Sequence, residues 1–254
     1  MLEWYMVPLT ISAGFLTGFI NTLAGSGSAV SLALLNALGI PLDVANGTNR
    51  IGILLQNAVA VAGFHQQKKL EWHNGLRLTL PAVIGAVAGA FFAGTIDKDT
   101  LRIAVGIAML LVLIVLFIKP KRWLEGKTGE AESRPGILQM LIFFGIGLYG
   151  GFIQVGVGVF LLAGLVLNAG YDLLRGNAIK VLIVLGFTIP ALAMFVYHDK
   201  VLWGTGLTLA IGNMLGAWVA TKEASKRGAV FVRWLLIVVV TFSAARYLGI
   251  FDLF

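Results

Sequence analysis

The sequence predicts an all-α polytopic membrane protein with two inverted-topology repeats of five helical segments each. Composition is the first observation behind this prediction. Of the 254 residues, 58% are apolar and 12% are charged, about half the charged fraction of a soluble domain. A single soluble core of this length would not bury so much apolar surface. The other two observations are ten apolar segments and an internal repeat of short sequence blocks.

Composition also limits the classes of function. The 19 basic and 12 acidic residues give a net charge of +7. In a membrane protein the excess basic residues usually lie in cytoplasmic loops, so this charge does not indicate a nucleic-acid partner, and we expect none. The sequence has no Cys, hence no disulfide and no thiolate metal site. It also lacks a Walker sequence and any intramembrane cluster of nucleophile, base or metal-ligand side chains. We therefore expect no catalytic residue, no metal and no cofactor, and a protein that is not an enzyme.

The ten apolar segments divide equally around one polar stretch. They cover residues 5–24, 28–39, 47–64, 76–96, 101–118, 136–155, 159–169, 176–197, 203–221 and 230–249. The stretch between the fifth and sixth, 119–135, holds five basic and three acidic residues and is typical of a solvated linker. The predicted organisation is a first repeat at 1–118, a cytoplasmic linker at 119–135 and a second repeat at 136–254.

The second segment of each half is too short to span a bilayer as a straight helix. About 12 residues reach roughly 18 Å, whereas the hydrocarbon core is about 30 Å thick. A glycine-containing break, 24–28 in the first half and 155–158 in the second, precedes each short segment. The first two segments of each half are therefore predicted to form a Gly-broken or re-entrant hairpin.

Three matched blocks, in the same order in both halves, indicate an internal duplication. The pattern W-x-x-G-L-x-L occurs at 72–78 and at 203–209. A G-x-x-x-G pair followed by Ala begins at Gly85 and again at Gly212. The blocks Gly-Phe-Ile-Asn at 18–21 and Gly-Phe-Ile-Gln at 151–154 each precede a Gly-x-Gly break.

The basic loops indicate that the two halves face opposite ways. Basic residues concentrate in 66–77, in the linker and in 221–233, so these stretches are predicted to be cytoplasmic. Equivalent segments of the two halves then cross the membrane in opposite directions. Both termini are predicted to lie outside, on the periplasmic side.

Inverted repeats with broken helices are typical of secondary transporters, which bind substrate near the midplane where the repeats meet. Free N–H groups at the start of a helix after a break attract anions. The break residues Gly25, Ser26, Gly27, Gly156 and Gly158 are therefore candidates for binding an anionic substrate. The alternative is that these glycines serve only close helix packing.

Two basic residues lie early in equivalent segments. Arg50 in segment three and Lys180 in segment eight are candidate anion ligands, because charge inside a membrane is costly and usually functional. The polar neighbours Asn46, Asn49 and Asn177 join them as candidates. The alternative is that both cations extend to a membrane interface.

Two amide side chains occupy matched positions before the breaks. Asn21 and Gln154 would bind an anion's oxygens or, alternatively, cap backbone groups freed by the break. No Asp or Glu lies well inside a segment, so the sequence shows no buried carboxylate that would carry a coupling proton or sodium ion.

The segments 18–28 and 45–50 together resemble the opening signature of the TauE/SafE sulfite exporter family, and 150–159 with 175–180 resembles its repeated counterpart. The resemblance covers essentially the whole chain. It implies a transporter of sulfite, organosulfonates or related anions in the bacterial inner membrane, with export as the usual direction. It also implies that function concentrates in 46–50 and 175–180.

We therefore expect a secondary transporter whose partners are a small anionic substrate and the lipid bilayer. Two alternatives stay open for its transport activity, a passive anion channel and uptake of a related organic anion. A structural membrane protein is a third class, and it would show no stabilisation by substrate. A homo-oligomer is also compatible with the sequence.

Overall fold

The computed structural model describes residues 6–91, 120–126, 135–152 and 154–247, with four single positions between 110 and 117. Within these residues the structure is helical, without strands, which confirms the all-α class. Both termini, most of the linker and most of segment 101–118 lie outside the described residues.

Nine helices make up the described part of the chain. They are α1 (Met6–Leu23), α2 (Ser28–Ala37), α3 (Leu42–Gln66), α4 (Trp72–Phe91), α5 (Pro120–Glu125), α6 (Ile137–Phe152), α7 (Val157–Ala163, continued as a π-helix over Gly164–Asn168), α8 (Leu173–Tyr197) and α9 (Trp203–Tyr247). Four described stretches are long and apolar enough to cross a membrane: Met6–Leu23, Trp72–Phe91, Leu173–Tyr197 and Trp203–Ala245.

Two segment boundaries differ from the sequence prediction in a way that matters for the site. α3 begins at Leu42 and α8 at Leu173, each several residues before the predicted segment start. Polar residues at the beginning of both helices hid these first turns from a hydropathy criterion. Arg50 and Lys180 consequently lie about two turns inside their helices rather than one.

The predicted cytoplasmic loop 221–233 is mostly helical. α9 continues to residue 227 and is interrupted only at Gly228, whose φ of 73° and ψ of −171° end one arm and start the next. We name the two arms α9a (203–227) and α9b (229–247). A left-handed φ is inexpensive for glycine, so one residue supplies the turn that we predicted as a longer loop.

The linker also contributes to the core. Its short helix α5 buries Trp123 completely against an apolar cluster that includes Leu173 and Val232. A polar, charged stretch thus holds one large apolar side chain that fixes it to the helix bundle.

The helices form two parallel groups. The helices α1, α3 and α9a are parallel to one another, and so are α4, α6 and α8. In the first group, residue numbers rise together along the contacting helices, as the glycine contacts show: Gly14 with Leu209, Gly18 with Asn213, Gly52 with Asn213 and Gly63 with Thr221. The same holds for the second group, where the glycine contacts are Gly147 with Ala82, Gly151 with Ala86, Gly75 with Leu182 and Gly186 with Thr79.

The two groups are antiparallel to each other. Gly47, near the start of α3, lies against Phe195 in the last turn of α8 and against Lys200 in the loop that follows. Because α3 begins where α8 ends, α3 and α8 run in opposite directions, and so do the groups to which they belong.

Contacts between loops define two ends of the bundle. At one end, Lys200 pairs with Asp43 at 2.7 Å and the Leu202 N–H donates to the Thr48 hydroxyl at 3.0 Å. At the other end, Ser225 donates to Gln67. There Arg175 also pairs with Glu71 at 3.3 Å. The loops that follow α3 and precede α8 therefore share an end with the C-terminal part of α9a.

Candidate functional site

The two broken hairpins, α1–α2 and α6–α7, meet tip to tip. At Gly25, where φ is +81°, a Cβ would lie 2.3 Å from the Gly158 Cα, and at Gly158 a Cβ would lie 2.4 Å from the Gly25 Cα. Neither distance leaves room for a side chain. Gly156 starts α7 with φ of 79°, a conformation that glycine adopts without strain. The breaks thus bring backbone from both halves into direct contact.

A cavity lies beside this contact. It holds about 270 Å³ of empty space, solvent at its open side included. Side chains from both halves of the chain line it, and its polar lining residues are Asn21, Ser28, Gln56, Asn57, Gln154 and Lys180. Gly25 and Gly158 form part of its wall, with apolar side chains completing it.

Lys180 brings a buried positive charge to the cavity wall. The side chain is 1% exposed. Its Nζ donates to the Asn21 carbonyl at 2.9 Å, to the Thr22 carbonyl at 2.7 Å and to Asn177 Oδ1 at 2.6 Å. All three N–H bonds of the ammonium therefore have an acceptor. Extension of Lys180 to a membrane interface is excluded in this structure, because its ammonium is held inside.

Asn21 both caps a helix and lines the cavity. Its Oδ1 accepts from the Ser28 N–H at 3.2 Å, and its Nδ2 donates to the Ser28 hydroxyl at 3.1 Å. The capping alternative is thus observed for this residue. Gln154 donates to the Thr188 hydroxyl at 3.3 Å, and its Oε1, which is buried, has no hydrogen-bond partner.

The expected free N–H groups at the start of α2 are already occupied. The Ser28 N–H bonds Asn21, the Ala29 N–H bonds the Ser26 carbonyl at 3.4 Å and the Val30 N–H bonds the Gly27 carbonyl at 2.9 Å. This corrects the expectation that the backbone N–H groups at the start of α2 are free.

Arg50 is buried at a different place. It is fully inaccessible and does not line the cavity. Its Nη2 donates to the Gly151 carbonyl at 3.0 Å, and its guanidinium lies 4.6 Å from the centre of the Phe195 ring. Nε and Nη1 have no partner. Arg50 therefore joins the carboxyl end of α6 to α3 and α8, and its complete burial excludes extension to an interface here.

Comparison with known proteins identifies the family. The family model described as Sulfite exporter TauE/SafE matches residues 10–247. The chain belongs to the TauE/SafE family. It is 28% identical over 248 residues to Probable membrane transporter protein ORF9 of Sinorhizobium sp, with 98% of this chain and 94% of that protein covered. It is 25% identical over 249 residues to Probable membrane transporter protein YfcA of Escherichia coli (strain K12), with 98% and 91% covered.

A more distant relative, Probable membrane transporter protein YdhB of Bacillus subtilis (strain 168), is 24% identical over 221 residues, with 84% of this chain and 89% of that protein covered. The family resemblance predicted from the glycine-rich segments is confirmed. The chain is a membrane transporter, and its family is one of transporters rather than enzymes.

The remaining sequence-predicted residues of this TauE/SafE transporter are not among the residues that line the cavity. The Ser26 and Ser243 hydroxyls lie 2.9 Å apart, Asn49 accepts from Ser31 at 2.7 Å, and Gly27 packs against Thr17. Asn177 is buried and orients Lys180. Asn46 is half-buried in the first turns of α3.

The sequence prediction missed three polar residues of the cavity, Ser28, Gln56 and Asn57. Gln56 and Asn57 lie in the middle of α3, and both are buried. Two adjacent amide side chains inside an apolar segment are costly unless they face a polar space. That cost was a signal in the sequence that could have identified both residues. Choosing site residues by their distance from Arg50 along the sequence was misleading, because Gln56 and Asn57 line the cavity and Arg50 does not.

Proposed function

We propose that this TauE/SafE transporter is a secondary transporter that exports a small sulfur-containing anion, sulfite or an organosulfonate, across the bacterial inner membrane. The observation that carries the proposal is the Lys180 ammonium at the wall of a cavity between two broken hairpins. Family membership supports the sulfur-containing class, since the matching model describes a sulfite exporter.

Charge supports an anionic substrate. Among the residues that the structure describes, Arg50 and Lys180 are the buried charged side chains, and no buried Asp or Glu accompanies either. An anion that enters the cavity loses hydration, and a fixed positive charge in a medium of low dielectric constant offsets part of that cost. A cation would meet repulsion from Lys180 instead.

The lining of the cavity supports a small oxyanion. Hydroxyl and amide groups of Ser28, Gln56 and Asn57 line it. These groups supply hydrogen-bond donors for oxygen atoms of a sulfite or sulfonate group.

Matched contacts support two inverted repeats at 1–118 and 136–254. Gly85 and Gly89 of α4 pack on Phe144 and Leu148 of α6. The same pattern recurs where Gly212 and Gly216 of α9a pack on Ile11 and Phe15 of α1. The sequence offset is 127 between the glycines of α4 and α9a, and 133 between the contacted residues of α1 and α6. Each opening helix thus packs on the fourth segment of the other half. The helix directions agree, because α1, α3 and α9a are antiparallel to α6, α8 and α4, their proposed equivalents.

The transporter and channel alternatives differ in a measurable way. A transporter with alternating access exchanges labelled substrate against unlabelled substrate with saturation, whereas a channel conducts current through a continuous pathway. Purified protein in proteoliposomes loaded with sulfite or isethionate should show saturable counterflow. Single-channel currents without counterflow would favour the channel.

Ligand-dependent stability tests substrate class directly. We expect sulfite, isethionate, sulfoacetate or taurine to raise the melting temperature of purified protein, and choline to leave it unchanged. At 100 times its dissociation constant a ligand stabilises by about 2.7 kcal/mol. Stabilisation by none of these anions would contradict the proposed substrate class.

A further inference from the structure

The environment of the Lys180 ammonium is a cage of neutral oxygen atoms. Two are backbone carbonyls, from Asn21 and Thr22 at the carboxyl end of α1, and the third is Oδ1 of Asn177 in α8. The three oxygens lie 2.6–2.9 Å from Nζ. No Asp or Glu of the described chain is buried with them.

Such a cage has the chemistry of a monovalent-cation site. Carbonyls at the carboxyl end of a broken helix carry the negative end of the helix dipole and are the groups that coordinate small cations in transporters with discontinuous helices. Neutral oxygens without carboxylates suit a single positive charge. In this chain the ammonium on a tethered side chain takes that position.

We propose that Lys180 fills a built-in monovalent-cation site at the broken end of α1, so that the protein carries its own counter-cation for the transported anion. This inference rests on the proposed function for the identity of the anion, but the cation site stands on the geometry alone. It follows that anion binding needs no sodium ion. It also follows that deleting the ammonium creates an empty cage that a free cation can occupy.

The hydrogen bonds define how Lys180 acts. Because each N–H of the ammonium has a protein acceptor, the group contributes its charge at the cavity wall without giving up a bond to the anion. A free cation in the same cage would supply the same charge. Restoring the anion affinity of Lys180→Ala with an added cation therefore distinguishes two roles for Lys180. Rescue is expected if the residue supplies a positive charge, and no rescue is expected if its covalently attached side chain is needed.

The experiment measures isethionate affinity of purified protein in sodium, potassium and choline chloride at equal ionic strength. Wild-type affinity should be the same in all three. Lys180→Ala should bind more than tenfold more weakly in choline. Sodium chloride or n-propylammonium chloride, whose cation has the atoms that the substitution deletes, should restore most of that loss. Tetramethylammonium, which has charge but no N–H, should not.

A matched control removes a lysine elsewhere. Lys200→Ala, in the exposed loop after α8, should keep wild-type affinity in every salt. Asn177→Leu keeps the ammonium but removes one oxygen of the cage, and it should weaken affinity several-fold. This variant is used if Lys180→Ala does not fold, because Asn177 does not line the cavity and its Oδ1 accepts a hydrogen bond from Lys180.

Three results would overturn the cation site: sodium-dependent binding by the wild type, unchanged affinity in both cage variants, or no rescue of a folded Lys180→Ala. Failure of the proposed function looks different, since the wild type would then bind none of the sulfur-containing anions. In that case the melting temperature of Lys180→Ala still decides the matter. Sodium or n-propylammonium should raise it, and tetramethylammonium should not.

Discussion

At the scale of single residues, the two buried cations bind the broken helices of opposite halves. Lys180, from the second half, donates to the last carbonyls of α1, and Arg50, from the first half, donates to the Gly151 carbonyl near the end of α6. Breaking a helix in a membrane leaves carbonyls without intrahelical partners, which is costly in a medium without water. Each cation therefore offsets the cost of the break in the other half.

The first prediction concerns the charge at the cavity wall. Lys180→Gln keeps amide donors for the carbonyls but removes the positive charge that faces the anion. We expect isethionate affinity to fall more than about tenfold, or about 1.4 kcal/mol. Titration calorimetry on the purified variant measures this. Arg175→Gln, at the exposed start of the same helix, is the control and should retain affinity, since exposed ion pairs contribute little.

At the scale of elements, glycines determine which helices approach and where hairpins meet. The sequence predicted the breaks and the short segments because hydropathy and segment length follow from composition along the chain. It did not predict that Gly25 would contact Gly158, or that α4 would pack on α6. Sequence periodicity defines the face of a helix but not the helix that will cover it. The cavity lining was therefore only partly predictable: Asn21, Gln154 and Lys180 were found, but Gln56 and Asn57 were not.

The hairpin contact gives the second prediction. Gly158→Ala would place a methyl group 2.4 Å from the Gly25 Cα, so one hairpin tip must shift and the cavity wall with it. We expect loss of counterflow in proteoliposomes. The matched substitution Gly176→Ala adds a methyl group at 3.6 Å from its nearest neighbour and should retain counterflow. Equal activity in both variants would show that the tip contact is dispensable.

The packing of α9a on α1 gives the third prediction. A Cβ at Gly216 would lie 2.1 Å from the Phe15 carbonyl oxygen, so Gly216→Ala should destabilise the protein by about 1–3 kcal/mol, the usual cost of overpacking. Thermal unfolding of purified protein checks this. Gly204→Ala, where a Cβ has no neighbour within 4 Å, should unfold at the wild-type temperature or above it.

At the scale of the whole molecule, the turns after α3 and α8 are alike. Lys68 and Asp199, separated by the offset of 131 that relates the tryptophan blocks, both have φ of 56°. The hydrogen bonds correspond as well: the Lys68 N–H bonds the His65 carbonyl at 2.9 Å, and the Asp199 N–H bonds the Val196 carbonyl at 3.1 Å. α3 and α8 are antiparallel, so these two turns lie at opposite ends of the bundle. If the bundle spans the bilayer, they face opposite sides of the membrane.

This pair gives a topology test in which each site is the control for the other. The natural chain has no Cys, so Lys68→Cys and Asp199→Cys each introduce a single thiol in an exposed turn of the same conformation. Basic residues around Lys68 predict a cytoplasmic turn. An impermeant maleimide added to intact cells should label Asp199→Cys and spare Lys68→Cys, and both should react after the membrane is opened. Labelling of both variants in intact cells would contradict inverted repeats. The reverse pattern would retain the inversion but place both predicted termini on the cytoplasmic side, because α3 and α8 would then each cross the membrane the opposite way.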